Sequence, residues 1–292
     1  MPKTDLFLNA TVLNYLACDR HYQVTALWGI RDTSSAAANF GNDFHTFAYH
    51  LEGPDKKSFM DQATNKDSTI PLATNKDLGK LCLFYEASPV LKNSTVLYDN
   101  NGEPFLEYKF EIPYLETADY RIILVGTIDR GDRWNDAVRI LDRKTSRKPK
   151  PADVLQGYTL QIQVPFYMYV YKKYLAQFFG PVIENLPIVG QYLGVFMSFE
   201  PPKFELSNPI NYTPSLEIEI EDLIHRAAEQ MIRIHKLGPE LAPPTGMAAK
   251  ISDENVCKYC FLNRLCVLRD HDALMKYLKA QPHEYYDPRK WR

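Results

Sequence analysis

Residues 126–150 read GTIDRGDRWNDAVRILDRKTSRKPK, and their charges are spaced for chemistry. Side chains alternate faces along a strand, so Val138, Ile140, Asp142 and Lys144 share one face. Asp129 closes the preceding strand, on the face of Ile123 and Val125. If the two strands pair through a short turn, Asp129 and Asp142 converge at the end of a sheet. Two carboxylates there suit Mg²⁺ or Mn²⁺, hard cations that take oxygen ligands. The backbone carbonyl of Arg143 adds another oxygen, and Lys144 is placed to orient a water or to stabilise developing negative charge. That is equipment for metal-assisted phosphodiester hydrolysis. Alone, D-x-K also fits a solvated strand end with an ion pair. Between Arg139 and Lys150 six basic residues (Arg139, Arg143, Lys144, Arg147, Lys148, Lys150) stand against one acid. They read either as a patch for a phosphate backbone or as a solvated loop.

The second chemical feature is a run of cysteines. CKYCFLNRLC has the spacing C-x2-C-x5-C, from Cys257, Cys260 and Cys266. Three thiolates leave a four-coordinate site one ligand short. His271 could complete a Zn²⁺ site, whereas an iron–sulfur cluster needs a fourth cysteine, Cys18 or Cys82. Cys82, inside LCLF, reads as a small buried hydrophobe. The count of five is odd and the N-terminus lacks the basic, apolar, small-residue order of a signal peptide, which argues against a disulfide framework.

These groups need a scaffold. The chain has 292 residues, 45% apolar and 24% charged, enough for a large core. No run of 18 apolar residues occurs, which excludes a transmembrane helix and fits a cytoplasmic protein. The net charge of −2 leaves nucleic acid to be held by a local patch.

Residues 5–30 read as a helix, and 34–52 as another whose core face carries Phe40, Phe44, Phe47 and Leu51, with His45 beside it. Residues 53–80 are polar and repeat ATNKD at 63 and 73, which reads as a loop or a local duplication. Strand-like segments follow: LCLFYEA, TVLYD, FLEYKFEIPYL, YRIILVGTID and AVRILDRKT, the last two joined by a turn at RGDRWND. A long aromatic helix is expected over 153–178, kinked or broken at Pro165. Apolar strand-like sequence to about 199 and a helix over 216–236 come next, then a Pro-rich linker. The order implies α+β (or α/β) with one central mixed sheet.

At this point the chain resembles the RecB-type nucleases of the PD-(D/E)xK superfamily. The run GTIDRGDRWNDAVRILDRKTS is similar to that family's core, with Asp129 after G-x-I-D, then Asp142 and Lys144, then Gln163 and Tyr167 in a Q-x-x-x-Y pattern. GNDFH resembles the family's histidine helix, and EYKFEIPYL the segment before the core, with Glu107 as its acid. Ile128 stands where the superfamily's name has Pro, and Pro165 lies inside the Gln163–Tyr167 pair, with Gln161 as fallback for Gln163. The resemblance implies a restriction-endonuclease-like core. It implies His45, Asp129, Asp142 and the Arg143 carbonyl as metal ligands, Lys144 at the attacking water, and Gln163 and Tyr167 at the DNA strand.

One subgroup of that family, which includes CRISPR-associated adaptation nucleases and AddB-type helicase–nucleases, carries a 4Fe–4S cluster on one early cysteine and a late triplet. The corresponding set here is Cys18, Cys257, Cys260 and Cys266. The implied protein is a single nuclease domain over 1–292, with a core at about 34–200 and a staple joining about 12–22 to 250–270. It would use Mg²⁺ or Mn²⁺ for water attack on single-stranded DNA or DNA ends, exonucleolytically. The alternative is a DNA-end-binding or assembly subunit that does not cut. No G-x-x-x-x-G-K-S/T loop is present, so unwinding falls to a helicase partner, and an integrase partner is also compatible. Repair, CRISPR adaptation and a phage-borne role all fit.

Overall fold

The computed structural model describes residues 3–29, 36–64, 81, 83–85, 87–88, 91, 93–148, 150–238, 242 and 262. In chain order they form β1 (Thr4–Leu8), α1 (Ala10–Tyr15), α2 (Asp19–Tyr22), α3 (Ala36–Glu52) and α4 (Lys56–Thr64). Next come β2 (Ser94–Val96), β3 (Leu106–Glu116), β4 (Tyr120–Trp134) and β5 (Ala137–Ser146). Then follow α5 (Pro151–Thr159), α6 (Gln163–Val170), α7 (Pro181–Glu184), β6 (Ile188–Phe196), β7 (Lys203–Leu206), β8 (Ile210–Asn211) and α8 (Pro214–His235). No described helix is long and apolar enough to cross a membrane.

The chain divides into two compact units: Met1–Thr33, Phe110–Gly126 and Glu221–Arg292 form one, and Ser34–Lys109 with Thr127–Ile220 the other. In the first, β1 runs parallel to the opening half of β4, with Leu6 opposite Ile122 and Leu8 opposite Leu124. The fully buried Asp19 side chain of α2 accepts from Gln230 (2.7 Å) and Arg233 (2.6 Å), which satisfies its charge.

The second unit is a mixed sheet flanked by helices, and it holds the candidate site. The closing half of β4 is antiparallel to β5, β5 is parallel to β6, and β7 and β8 are antiparallel to β6. A parallel β5–β6 pair needs a crossover, and α5 and α6 supply it. Helix α6 sits close to β6 because Gly190 has no side chain. A Cβ there would lie 2.3 Å from Val164 Cγ1 and 2.4 Å from Met168 Sδ. On the other face, Phe44, Phe47 and Leu51 of α3 pack with Leu141 of β5 and Leu193 and Val195 of β6. Each such burial contributes about 1.5–3 kcal/mol, so α3 is seated firmly.

Several sequence expectations are corrected. Residues 5–30 are not one helix: Leu6, Phe7 and Leu8 are buried in a strand because β4 offers a pairing edge. LCLFYEA is helical at its described positions, where Leu81 and Tyr85, four apart, are buried and Leu83 and Phe84 exposed. Part of the polar 53–80 stretch is helix α4, and 65–80, with most of the ATNKD echo, lies outside the described residues. The β4–β5 turn is shorter than RGDRWND. Trp134 already pairs with Ala137, leaving a two-residue turn in which Asn135 takes the left-handed φ of 52°. The aromatic helix breaks at 160–162, upstream of Pro165. Pro165 then falls in the first turn of α6, where a backbone N–H has no helical partner to lose. Meanwhile the Gln161 carbonyl accepts from the Tyr192 hydroxyl (3.2 Å), and that hydroxyl accepts from Val164 N (3.2 Å).

Candidate active site

Alternation along β5 sends neighbouring side chains to opposite faces, and the site uses both. Leu141 and Arg143 face α3, while Asp142 and Lys144 face α6. On the α3 side, His45 Nδ1 lies 3.1 Å from Glu107 Oε1 and 3.5 Å from Asp129 Oδ2. His45 Nε2 lies 3.1 Å from the Arg143 carbonyl. The Arg143 N–H donates to Asp129 Oδ2 at 2.6 Å. One donor atom each from His45, Glu107 and Asp129 fall within 4.8 Å of one another. Glu107 reaches this point with φ at +45°, a conformation that is uncommon outside glycine and that recurs at functional sites.

On the α6 side, Asp142 is fully buried. Lys144 Nζ stands 2.9 Å from Asp142 Oδ2 as an ion pair. The ammonium also donates to Gln163 Oε1 at 2.9 Å, and Gln163 Nε2 donates to the Tyr167 hydroxyl at 3.3 Å. The β4–β5 register runs to Arg130↔Leu141, and Asp129 and Asp142 each lie one residue beyond it. The sequence-selected residues His45, Glu107, Asp129, Asp142, Arg143, Lys144, Gln163 and Tyr167 therefore meet in one region. Asp142 pairs with Lys144 beside the His45–Glu107–Asp129 group, and Gln161 contributes only its carbonyl to Tyr192.

The electrostatics follow from this packing. Burial would lower the His45 pKa, but Asp129 and a hydrogen bond to Glu107 outweigh it and raise it to about 9. The imidazolium then donates from both nitrogens and supplies the positive charge that two carboxylates require. Burial raises Asp142 to about 6, against the pull of Lys144. Burial also works against the Lys144 ammonium, yet Asp142 and Asp129 raise its pKa overall, so Lys144 stays charged.

The sequence did not disclose the buried ion network behind the site. Glu52 accepts from Arg143 (2.6 Å), Arg130 (2.5 Å) and the Tyr85 hydroxyl. Asp132, fully buried, holds both Arg130 (2.7 Å) and Arg139 (2.8 Å). The basic run from 139 to 150 is thus not one solvated patch, because Arg139 and Arg143 are completely buried. Only two buried-looking strand segments carrying arginines at 130, 139 and 143 hinted at this. Cys18 is a buried free thiol at the start of α2, whereas Cys82, Cys257, Cys260 and Cys266 lie outside the described residues.

A family model described as the PD-(D/E)XK nuclease superfamily matches residues 10–267. The chain is similar to the crystal structure of a candidate exonuclease from Eubacterium rectale, at 14% identity over 88% of this chain and 87% of that one, with a TM-score of 0.44. It is also similar to the structure of SSO0001, at 12% identity over 91% and 87% of the two chains, with a TM-score of 0.31. No curated protein matches the chain.

Proposed function

The chain belongs to the PD-(D/E)XK nuclease superfamily, and from that premise we propose a metal-dependent DNA nuclease that degrades single-stranded DNA or DNA ends as an exonuclease. The observation that carries this reading is the convergence of His45, Glu107 and Asp129 within 4.8 Å. One imidazole and two carboxylates form a donor set that fits Mn²⁺ or Mg²⁺. Buried Asp142 stands beside this group with Lys144 as its charge partner, 2.9 Å away.

His45, Glu107, Asp129, Asp142 and the Arg143 carbonyl would hold the ion. When bound, such an ion lowers the pKa of water and neutralises phosphate charge. The chain's own residues do the rest. Lys144 remains protonated and so stabilises negative charge developing on phosphate instead of acting as a base. Gln163 fixes the direction of the Lys144 ammonium, and Tyr167 fixes Gln163. Strand unwinding, where it is needed, is left to a partner.

The test is degradation of linear and circular single-stranded DNA by the purified protein with Mn²⁺. Loss of the linear strand alone supports the exonuclease, and loss of both indicates an endonuclease. Binding to both without cutting favours the alternative, a non-cutting end-binding subunit.

We further assign Cys18, Cys257, Cys260 and Cys266 to a 4Fe–4S cluster. Two contacts support it. Arg20 and Gln23, close to Cys18, bond the backbone of Ala242 at 3.0 and 2.6 Å, and Leu262, between two of the late cysteines, is buried. A cluster here would close a very long loop, with a gain that grows only slowly with length. Iron and sulfide analysis of anaerobically purified protein tests it: iron with sulfide supports the cluster, zinc without sulfide replaces it.

A further inference from the structure

His45 and Glu52 lie seven residues apart on α3, two turns along the same face. Both reach Arg143. His45 Nε2 holds its carbonyl at 3.1 Å, and Glu52 Oε2 holds its guanidinium at 2.6 Å. The rest of Arg143 is engaged as well. Its Nε donates to the Tyr85 hydroxyl at 3.0 Å, its Nη1 to the Asp129 carbonyl at 3.0 Å, and its backbone N–H to the Asp129 carboxylate at 2.6 Å. Arg143 therefore clamps Asp129 from two sides and is itself clamped to α3 from two sides.

We infer that Glu52 is a positioning residue for the metal-binding group, acting through Arg143. The fully buried guanidinium has no water to turn to, so the Glu52 carboxylate decides where it rests. The guanidinium in turn fixes the β5 backbone between Asp142 and Lys144. That backbone presents the Arg143 carbonyl to His45 and its N–H to Asp129. Tyr85, which donates to Glu52 and accepts from Arg143, bridges the pair. Arg130 anchors the same Glu52 carboxylate from β4, but its remaining bonds run to Asp132 and Ser94, away from the donor group.

This inference rests on the metal site proposed above, and the experiment separates the two. Mn²⁺ affinity is measured by calorimetry on the full chain for wild type, Asp129→Ala, Glu52→Gln, Tyr85→Phe and Ser94→Ala, with kcat and KM on single-stranded DNA. Expected results are loss of Mn²⁺ binding in Asp129→Ala, affinity weakened about tenfold or more in Glu52→Gln, and a smaller loss in Tyr85→Phe. Ser94→Ala, which removes bonds to Arg130 and to the Leu91 carbonyl but none to Arg143, leaves affinity unchanged. In Glu52→Gln, kcat falls and KM for DNA holds, whereas a purely structural role would lower the melting temperature alone. If Glu52→Gln does not fold, Tyr85→Phe decides: wild-type Mn²⁺ affinity there overturns the inference. Wild-type affinity in folded Glu52→Gln overturns it too. Unchanged Mn²⁺ binding in Asp129→Ala overturns the site itself.

Discussion

The Lys144 ammonium donates to Gln163 Oε1 across 2.9 Å, tying the end of β5 to the first turn of α6. The hydrogen bond spans the crossover between two parallel strands, so any change in how α6 sits on the sheet is felt at the lysine.

Gln163→Ala removes that acceptor without touching the core. Activity on single-stranded DNA is expected to fall about tenfold, a loss of about 1.4 kcal/mol of transition-state stabilisation. Tyr167→Phe, which leaves the Lys144–Gln163 bond itself in place, costs less. Steady-state rates for the two variants check the ranking, and a Tyr167→Phe defect larger than that of Gln163→Ala contradicts it.

Gly190 sets how closely α6 approaches. Gly190→Ala places a methyl 2.3 Å from Val164 Cγ1, and overpacking of this kind costs about 1–3 kcal/mol. Urea unfolding should show that loss, and activity should fall further because Gln163 moves with the helix. Adding Val164→Ala should recover part of both.

Asp132 is the sole carboxylate partner of Arg139 among the described residues, and both are fully buried. Asp132→Ala leaves Arg139 with only a 3.5 Å contact to Gln191 Oε1 and the face of Trp134. Stranding one buried charge costs about 3–5 kcal/mol. Denaturant melts measure it, and a change under about 1 kcal/mol would show that the pair is dispensable.

The pH dependence has a definite sign. Asp142 and His45 both have raised pKa values in the fold, about 6 and about 9. A raised group contributes stability below its unfolded pKa and loses it as pH climbs through the folded one. For Asp142 the loss runs from about 3.9 to about 6, and for His45 from about 6.5 to about 9. Metal takes the deprotonated ligands, so the rise in melting temperature that Mn²⁺ gives over EDTA should grow from about pH 6 to about pH 9. A gain that shrinks over that range contradicts the ligand assignment.

The proximity of the candidate site residues was more legible in the sequence than the architecture around them. Asp129, Asp142 and Lys144 stood out less by charge at a strand end, which also fits a solvated ion pair, than by their order between a histidine helix and a Gln/Tyr helix. Phe44, Phe47 and Leu51 gave the core face of α3 by helical spacing alone, and His45 came with it. Leu6–Leu8 read as helix because five residues carry no periodicity that outvotes a long-range partner, and only Ile122–Leu124 decide the matter. Pro165 suggested a kink inside a helix, whereas a helix that restarts two residues earlier absorbs it. Glu52, Tyr85 and Arg143 could not be joined from the sequence, since their contacts span 58 and 91 positions and involve no local pattern.

The central claim is that Asp142 and Lys144 form the cutting centre of a metal-dependent nuclease. The direct measurement is the rate at which purified wild type, Asp142→Asn and Lys144→Ala degrade end-labelled single-stranded DNA with Mn²⁺, with DNA binding measured in parallel. Wild-type cleavage that stops with EDTA is expected, along with variants that bind DNA but cut at least about a hundredfold more slowly. Cleavage by either variant at the wild-type rate would contradict it.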